Sequence, residues 1–354
     1  MSRLFTPLTL RGTTFRNRAW VAPMCQYSSV DGVPTDWHLV HLGSLARGGA
    51  GLVVQEATAV TPEGRISPSD AGIWSDEQAT AYERITRFVA GQGAVPGIQL
   101  AHAGRKASTQ RPWEGNGYVE PADGGWQTVA PSPLAFGEWP VPKELSVGEI
   151  AEIVQAFADA ARRALGVGFE VAEVHAAHGY LLHEFLSPLS NQRADEYGGS
   201  LAGRSRLLLE VVDAVRAVWP DGKPVFVRVS ATDWADGGWT VEETVEVSRL
   251  LASRGVDLVD VSSGGLVPHQ QIVLGPGYQV PFARAVREGA GLPVAAVGLI
   301  TEPAQAEAVL ADGSADAVML ARALLRDPHW PLRAARELGG EVRWPEQYLR
   351  ARRT

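Results

Sequence analysis

Val225-Phe-Val-Arg-Val-Ser230 leads into the amphipathic stretch Val241–Arg254, and that into Val256-Asp-Leu-Val-Asp-Val-Ser262. The outer runs are short and rich in β-branched residues. In the middle stretch Val241, Val245, Val247, Leu250 and Leu251 fall mainly three and four residues apart, the spacing of one helix face. The segment reads strand–helix–strand, and the rest of the chain repeats it. Further strand-like runs are Trp20–Met24, Leu52–Glu56, Gly97–His102, Phe169–His175, Val294–Val297 and Asp316–Ala321. Helix-like segments lie between them, among them Asp76–Gln92, Val147–Leu165, Arg204–Trp219 and Pro303–Ala311. The last opens on Glu302-Pro303 after Thr301, the expected N-cap, and Gly313 follows as its stop.

Eight such units in series predict an α/β fold, a single (β/α)8 TIM barrel, with a doubly wound sheet as the alternative. No Pro/Ser/Gly linker divides the 354 residues and no repeat exceeds the βα unit, so 1–354 reads as one domain. The longest irregular stretch, about 103–144, follows the third strand and carries Trp113, Trp126 and Trp139. A loop of that length is usually functional, and this one would cap the C-terminal mouth where barrel active sites lie.

Composition narrows the function classes. Lys+Arg total 32 against 40 Asp+Glu, a net charge of −8, which argues against nucleic acid and anionic membranes as main partners. The single cysteine, Cys25, excludes an intrachain disulfide, a Cys-based zinc site and a Cys-ligated iron–sulfur cluster. No apolar run approaches the ~18 residues of a membrane span, and the N-terminal residues lack a signal-peptide core, so the expected location is cytoplasmic. Tryptophan is abundant at 11 residues, and glycine, at 38, exceeds the usual ~7%.

Chemistry-bearing residues cluster at strand ends. The chain has eight histidines, and His102, His175, His178 and His183 fall at or just beyond the third and fourth strand ends. The His175-x-x-His178 pair could ligate zinc with His102, His183 or Glu184, as in a zinc-dependent barrel hydrolase. It could instead donate two hydrogen bonds to one substrate oxygen, or be merely packed. Tyr180, a plausible proton source two residues on, favours the donors. Arg228 lies mid-strand, where a cation needs an anion or electron-rich group beside it. Gly298, the Ser262-Ser263-Gly264-Gly265 turn and Arg322 follow strands six to eight, the usual place of a barrel phosphate site. Cys25 at the end of strand one, two residues before Tyr27, reads equally as a buried apolar residue or an active thiol.

Taken in order, these motifs resemble the old yellow enzyme family of FMN-dependent ene-reductases, in its bacterial thermophilic-like subgroup. The resemblance runs through Leu4-Phe-Thr-Pro7, Asn17-Arg18, Pro23-Met-Cys-Gln-Tyr27, Gly72-Ile-Trp-Ser-Asp76 and Gln99-Leu-Ala-His-Ala-Gly-Arg-Lys106. It continues through His175-Ala-Ala-His-Gly-Tyr180 to Asn191, Asp195-Glu-Tyr-Gly-Gly199, Phe226–Ser230 and Leu325-Arg-Asp-Pro328. It implies non-covalent FMN at the mouth, reduced by NADPH or NADH in a ping-pong cycle. Ala22, Pro23, Met24, Cys25 and Ala57 would border the isoalloxazine, Gln99 would bond its pyrimidine, and Arg228 would face the N1/C2-oxygen edge. Ser263, Gly264, Gly298, Ala321 and Arg322 would hold the phosphate; many relatives have glycine at 321.

The same resemblance makes His175 and His178 the clamp on the oxygen of an activated alkene and Tyr180 the proton donor. Tyr27 would bind substrate, Cys25 would tune the flavin, and Lys106 would stand behind the site. Arg350, with Arg352 as its rival, would reach from a C-terminal arm, about 340–354, into a neighbouring subunit of a homodimer or homotetramer. The chain departs from shorter relatives in its extra Ala351–Thr354 and its longer loop after strand three.

Overall fold

The barrel segments are buried on both faces, the pattern of a strand covered by helices outside and packed side chains inside. In the computed structural model, which describes residues 2–115 and 117–353, eight parallel strands close a barrel in chain order. They are β1 (Ala19–Val21), β2 (Leu52–Ala59), β3 (Val95–Ala101), β4 (Val171–Ala176), β5 (Val225–Ser230), β6 (Leu258–Ser262), β7 (Val294–Ala296) and β8 (Ala317–Leu320). Closure comes from β8 on β1, where Val318, Met319 and Leu320 pair with Ala19, Trp20 and Val21. The expected TIM barrel is the observed fold, and all eight strand-like runs are strands.

The surrounding helices are α1 (Asp36–Arg47), α2 (Asp76–Gly91), α3 (Val147–Gly166), α4 (Leu201–Val218), α5 (Val241–Ser253), α6 (Val280–Ala290), α7 (Pro303–Ala311) and α8 (Trp330–Glu337). Ser75/Gln78, Ser146/Glu149 and Thr240/Glu243 form reciprocal capping boxes that fix the starts of α2, α3 and α5. The start of α7 differs from expectation, because Glu302 and not Thr301 is the N-cap. Thr301 is instead held by tertiary bonds: its N–H donates to Gln305 Oε1 and its carbonyl accepts from Trp330 Nε1.

The barrel interior is apolar at one end and polar at the other. An N-terminal hairpin, Leu8–Leu10 with Thr13–Phe15, places Phe15 against Trp20 at 4.6 Å, and Trp20 stacks on Phe226 at 5.8 Å. Leu52, Val54, Val171, Leu258 and Met319 complete this plug. Burial of side chains of this size is worth about 1.5–3 kcal/mol each, so the closed end is the rigid base on which the mouth is built.

One irregularity interrupts the barrel. Between Gln55 and Ala57 the pairing of β2 with β3 shifts, so Glu56 is the extra residue of a β-bulge. Below it Leu52 and Val54 face the interior plug; above it the parity reverses and Ala57 joins the cluster at the mouth with Ala101, Cys25, Tyr27 and Tyr180.

The long loop after β3 covers this mouth. Trp113 lies edge-on to Tyr27 at 5.8 Å, and Trp126 donates its indole N–H to Glu63 in the loop after β2. Trp139 packs on Phe136 within the loop itself. Among the described residues no helix is long and apolar enough to cross a membrane.

Candidate active site

The turn after β4 carries the densest chemistry. His175 ends the strand and is buried; its ring lies 5.2 Å from His178 and 5.2 Å from Tyr180, both edge-on. His178 adopts φ 61°, a left-handed conformation costly for a side chain of this size, and its polar groups are held from all sides. Its N–H donates to Ser230 Oγ, its carbonyl accepts from Lys106 Nζ at 2.8 Å, and its Nε2 lies 2.7 Å from Ser262 Oγ. Burial, then Arg228, pushes both imidazoles well below the usual histidine range, so both are neutral near pH 7. His175 Nδ1 is buried with no hydrogen-bond partner among the described residues. Burial raises the Tyr180 phenol, which therefore keeps its proton.

Across the mouth, Cys25 and Tyr27 project from the turn after β1 and pack with Ala57 and Tyr180. Burial, then Asp70 and Glu56, raises the Cys25 thiol, so it is a neutral, polarizable group and not a thiolate. Ala22 is buried at the start of this turn, with Pro23 and Met24 half-buried after it.

The cation expected at Arg228 has its counter-ion. Asp260, its register partner on β6, brings Oδ2 to 3.1 Å from Nε, and neither carboxylate oxygen is exposed. Beside them Gln99 donates to Glu173 Oε1 at 2.8 Å, and burial with Asp260 nearby lifts the Glu173 carboxyl to about 8. Neither acid was flagged by the sequence. Lys106 is likewise more than a bystander: Nζ also donates to Gly265 at 2.9 Å and lies 5.2 Å from the Tyr180 ring centre. Arg105 next to it bonds Leu134 in the cap loop and Leu266 after β6, so the two cations bolt three mouth loops together.

A second region lies over β6 to β8. Gly298 (φ 116°) and Leu299 (φ 52°) line a cavity of about 230 Å³ with Ser262, Gln279, Ala321 and Arg322. Ser263 and Gly264 lie on the neighbouring turn, but the Ser263 hydroxyl is used, donating to Gln279 Oε1 at 2.6 Å. Gln279 and Tyr278, which also line the cavity, were not foreseen from sequence.

The zinc alternative finds no ligand set. His102 Nδ1 accepts from Gly104 N–H, and His183 Nδ1 accepts from Gly179 N–H while its Nε2 lies 2.9 Å from buried Asp233. Among the described residues no three His, Cys, Asp or Glu side chains come together to hold a metal.

The model of the NADH:flavin oxidoreductase / NADH oxidase family matches residues 3–341. The chain belongs to that family. The NADPH dehydrogenases of Geobacillus thermodenitrificans and Bacillus subtilis are 51% and 48% identical to this oxidoreductase over 350 and 351 residues, 98% of both chains in each comparison. Morphinone reductase is a structural relative at 30% identity and TM-score 0.79, covering 98% of this chain and 92% of its own. A 2-naphthoyl-CoA reductase complex superposes with TM-score 0.86 at 25% identity over 95% of this chain and 52% of that one. The protein is thus an oxidoreductase of the old yellow enzyme type, with FMN as cofactor and NADPH or NADH as reductant. The mouth fits that cofactor: it offers a polar layer around Arg228 and the Gly298–Arg322 cavity with the charge a phosphate needs.

Proposed function

We propose that this oxidoreductase uses NADPH to reduce the C=C bond of activated alkenes such as enones, nitroalkenes and maleimides. The observation that carries this reading is the convergence of two neutral imidazoles and a protonated phenol beside Cys25 and Tyr27. Bound FMN supplies the site with a hydride acceptor for NADPH and a hydride donor for the alkene. Ala22, Pro23, Met24, Cys25, Ala57 and Gln99 would line the isoalloxazine, and Arg228 its N1/C2-oxygen edge. Ser263 and Gly264, through their backbone, would hold the phosphate with Gly298, Ala321 and Arg322.

His175 and His178 would donate to the carbonyl or nitro oxygen and withdraw electron density from the β-carbon. For His178 the incoming oxygen would replace Ser262 Oγ as the acceptor of its Nε2 proton. Tyr27 would hydrogen-bond the same substrate. Tyr180 would deliver its phenolic proton to the α-carbon, which its buried, un-ionised state allows. Cys25 would tune the flavin as a neutral thiol.

The C-terminal arm supports a homodimer or homotetramer. Its last turn, Glu346–Arg353, packs at the far end of α1, with Arg47 over the Tyr348 ring at 5.2 Å. That end of α1 lies away from its own mouth, so Arg350 (or Arg352) would serve the mouth of a neighbouring copy.

The test is Tyr180→Phe in stopped flow. NADPH oxidation should stay within about threefold of the parent while alkene reduction slows roughly a hundredfold or more. Equal losses in the two half-reactions would contradict the proton-donor role.

A further inference from the structure

The bulge in β2 does more than turn Ala57 into the mouth. It extrudes Glu56, a buried carboxylate that alternation would otherwise have assigned to the barrel interior. Its Oε2 accepts the backbone N–H of Gln26 at 2.7 Å, and its Oε1 lies 3.0 Å from Nε2 of the fully buried His38 on α1. His38 Nδ1 accepts from Thr35 N–H at 2.9 Å, which leaves the imidazole proton on Nε2, within reach of Ser29 Oγ at 3.4 Å and beside the Glu56 carboxylate. Gln26 is the residue between Cys25 and Tyr27. Its other groups are also fixed: the carbonyl accepts from Ser28 Oγ, the side-chain amide donates to Met24 and its oxygen accepts from Trp37 Nε1. Tyr27 follows with φ 50°, a conformation that a tyrosine keeps only where its surroundings impose it.

We propose that Glu56, backed by His38, is a positioning residue that holds the Gln26 N–H and so fixes Cys25 and Tyr27 at the barrel mouth. The proposal rests on the reading that Cys25 and Tyr27 act at the flavin and substrate. A charged acceptor is suited to this task, because a hydrogen bond to a carboxylate is about twice as strong as a neutral one. A bulge is the device that lets a strand residue reach sideways to a neighbouring turn.

The experiment uses the flavin-loaded enzyme and compares Glu56→Ala, Glu56→Gln and Tyr27→Phe with the double variant Glu56→Ala/Tyr27→Phe. Glu56→Ala should retain FMN and raise KM for an enone roughly tenfold, with kcat for NADPH oxidation within about threefold. Glu56→Gln, whose amide oxygen still accepts from Gln26, should recover most of that loss. In the double variant the two KM effects should be clearly less than multiplicative, because they act through one turn. An unchanged KM in Glu56→Ala, or fully multiplicative effects, would overturn the proposal. Should Glu56→Ala not accumulate as holoenzyme, His38→Leu takes its place, with a KM rise of about threefold expected and no rise refuting. If Tyr27→Phe and Cys25→Ala are themselves silent in KM and flavin potential, it is the underlying functional reading that fails.

Discussion

Gly179 separates His178 from Tyr180, and it is the position where a single methyl group should do most damage. A Cβ there would lie 2.2 Å from Gly265 O and 2.8 Å from Gly265 C and Leu266 Cα, all backbone atoms that cannot rotate aside. The residue also has φ 73°, which costs an L-amino acid about 1–2 kcal/mol. Relief of the contact requires the two turns to part by more than ~1 Å. Lys106 Nζ bridges those turns through His178 and Gly265, so it must surrender one of its bonds, worth about 1–3 kcal/mol. Gly179→Ala should therefore lose about 3 kcal/mol of stability in urea denaturation. Displacement of His178 by ~1 Å should lower kcat/KM for an enone about a hundredfold. FMN content, read from the visible spectrum, should fall less than kcat/KM, because Gly264 adjoins the displaced turn while Gly298 and Arg322 lie elsewhere in the mouth. Gly199→Ala is the control: it shares a positive φ of 68° but its Cβ would meet nothing within 4 Å, so it should cost only about 1 kcal/mol and spare activity. Equal stability losses in the two variants, with kcat/KM retained in Gly179→Ala, would refute the close-packing argument.

Three further outcomes are expected. Cys25→Ala should shift the flavin reduction potential with FMN still bound, and an unchanged potential in spectroelectrochemical titration counts against a tuning thiol. Burial lifts the Asp70 carboxyl to about 7, so between its ordinary value near 4 and pH 7 the folded protein holds a proton that the unfolded chain has released. Stability contributed at this site must fall as pH rises through that window. Asp70→Asn should flatten the fall by a few kcal/mol between pH 4 and 7, and parallel denaturation curves for parent and variant would oppose this. Arg350→Ala should raise KM for enones in the assembled enzyme without changing FMN content; the same rise from Arg352→Ala alone would transfer the role to that residue.

The fold was legible because each strand is a short run rich in apolar and β-branched residues and each helix is apolar on one face, a contrast that needs no tertiary information. Thr301 shows where local chemistry stops being decisive. It is a good N-cap by type, yet Gln305 and Trp330 claim its backbone and move the cap to Glu302. The bulge in β2 was illegible for a related reason. Glu56 sits in an apolar run and the extra residue is defined only by what β3 offers opposite it, so a count along β2 alone puts Ala57 on the wrong face.

The site divides along the same line. His175, His178, Tyr180 and Cys25 stood out because such residue types are rare at the ends of apolar strands. Asp260, Glu173 and Asp233 did not, since a lone acid reads as solvated surface until its partner is known. Their partners follow from barrel register: Arg228 lies beside Asp260, and Gln99 beside Glu173. Register also orders the interior into layers, with the Phe15–Trp20–Phe226 plug beneath and the Arg228 layer above it. Burial raises both the Glu173 and the Asp260 carboxyls, and of the two it is Asp260 that comes within ion-pair distance of Arg228, at 3.1 Å. That arrangement reconciles the two readings of a mid-strand arginine. A structural carboxylate makes the cation tolerable in the fold, and on the proposed reading the same guanidinium would also serve the anionic edge of a reduced flavin.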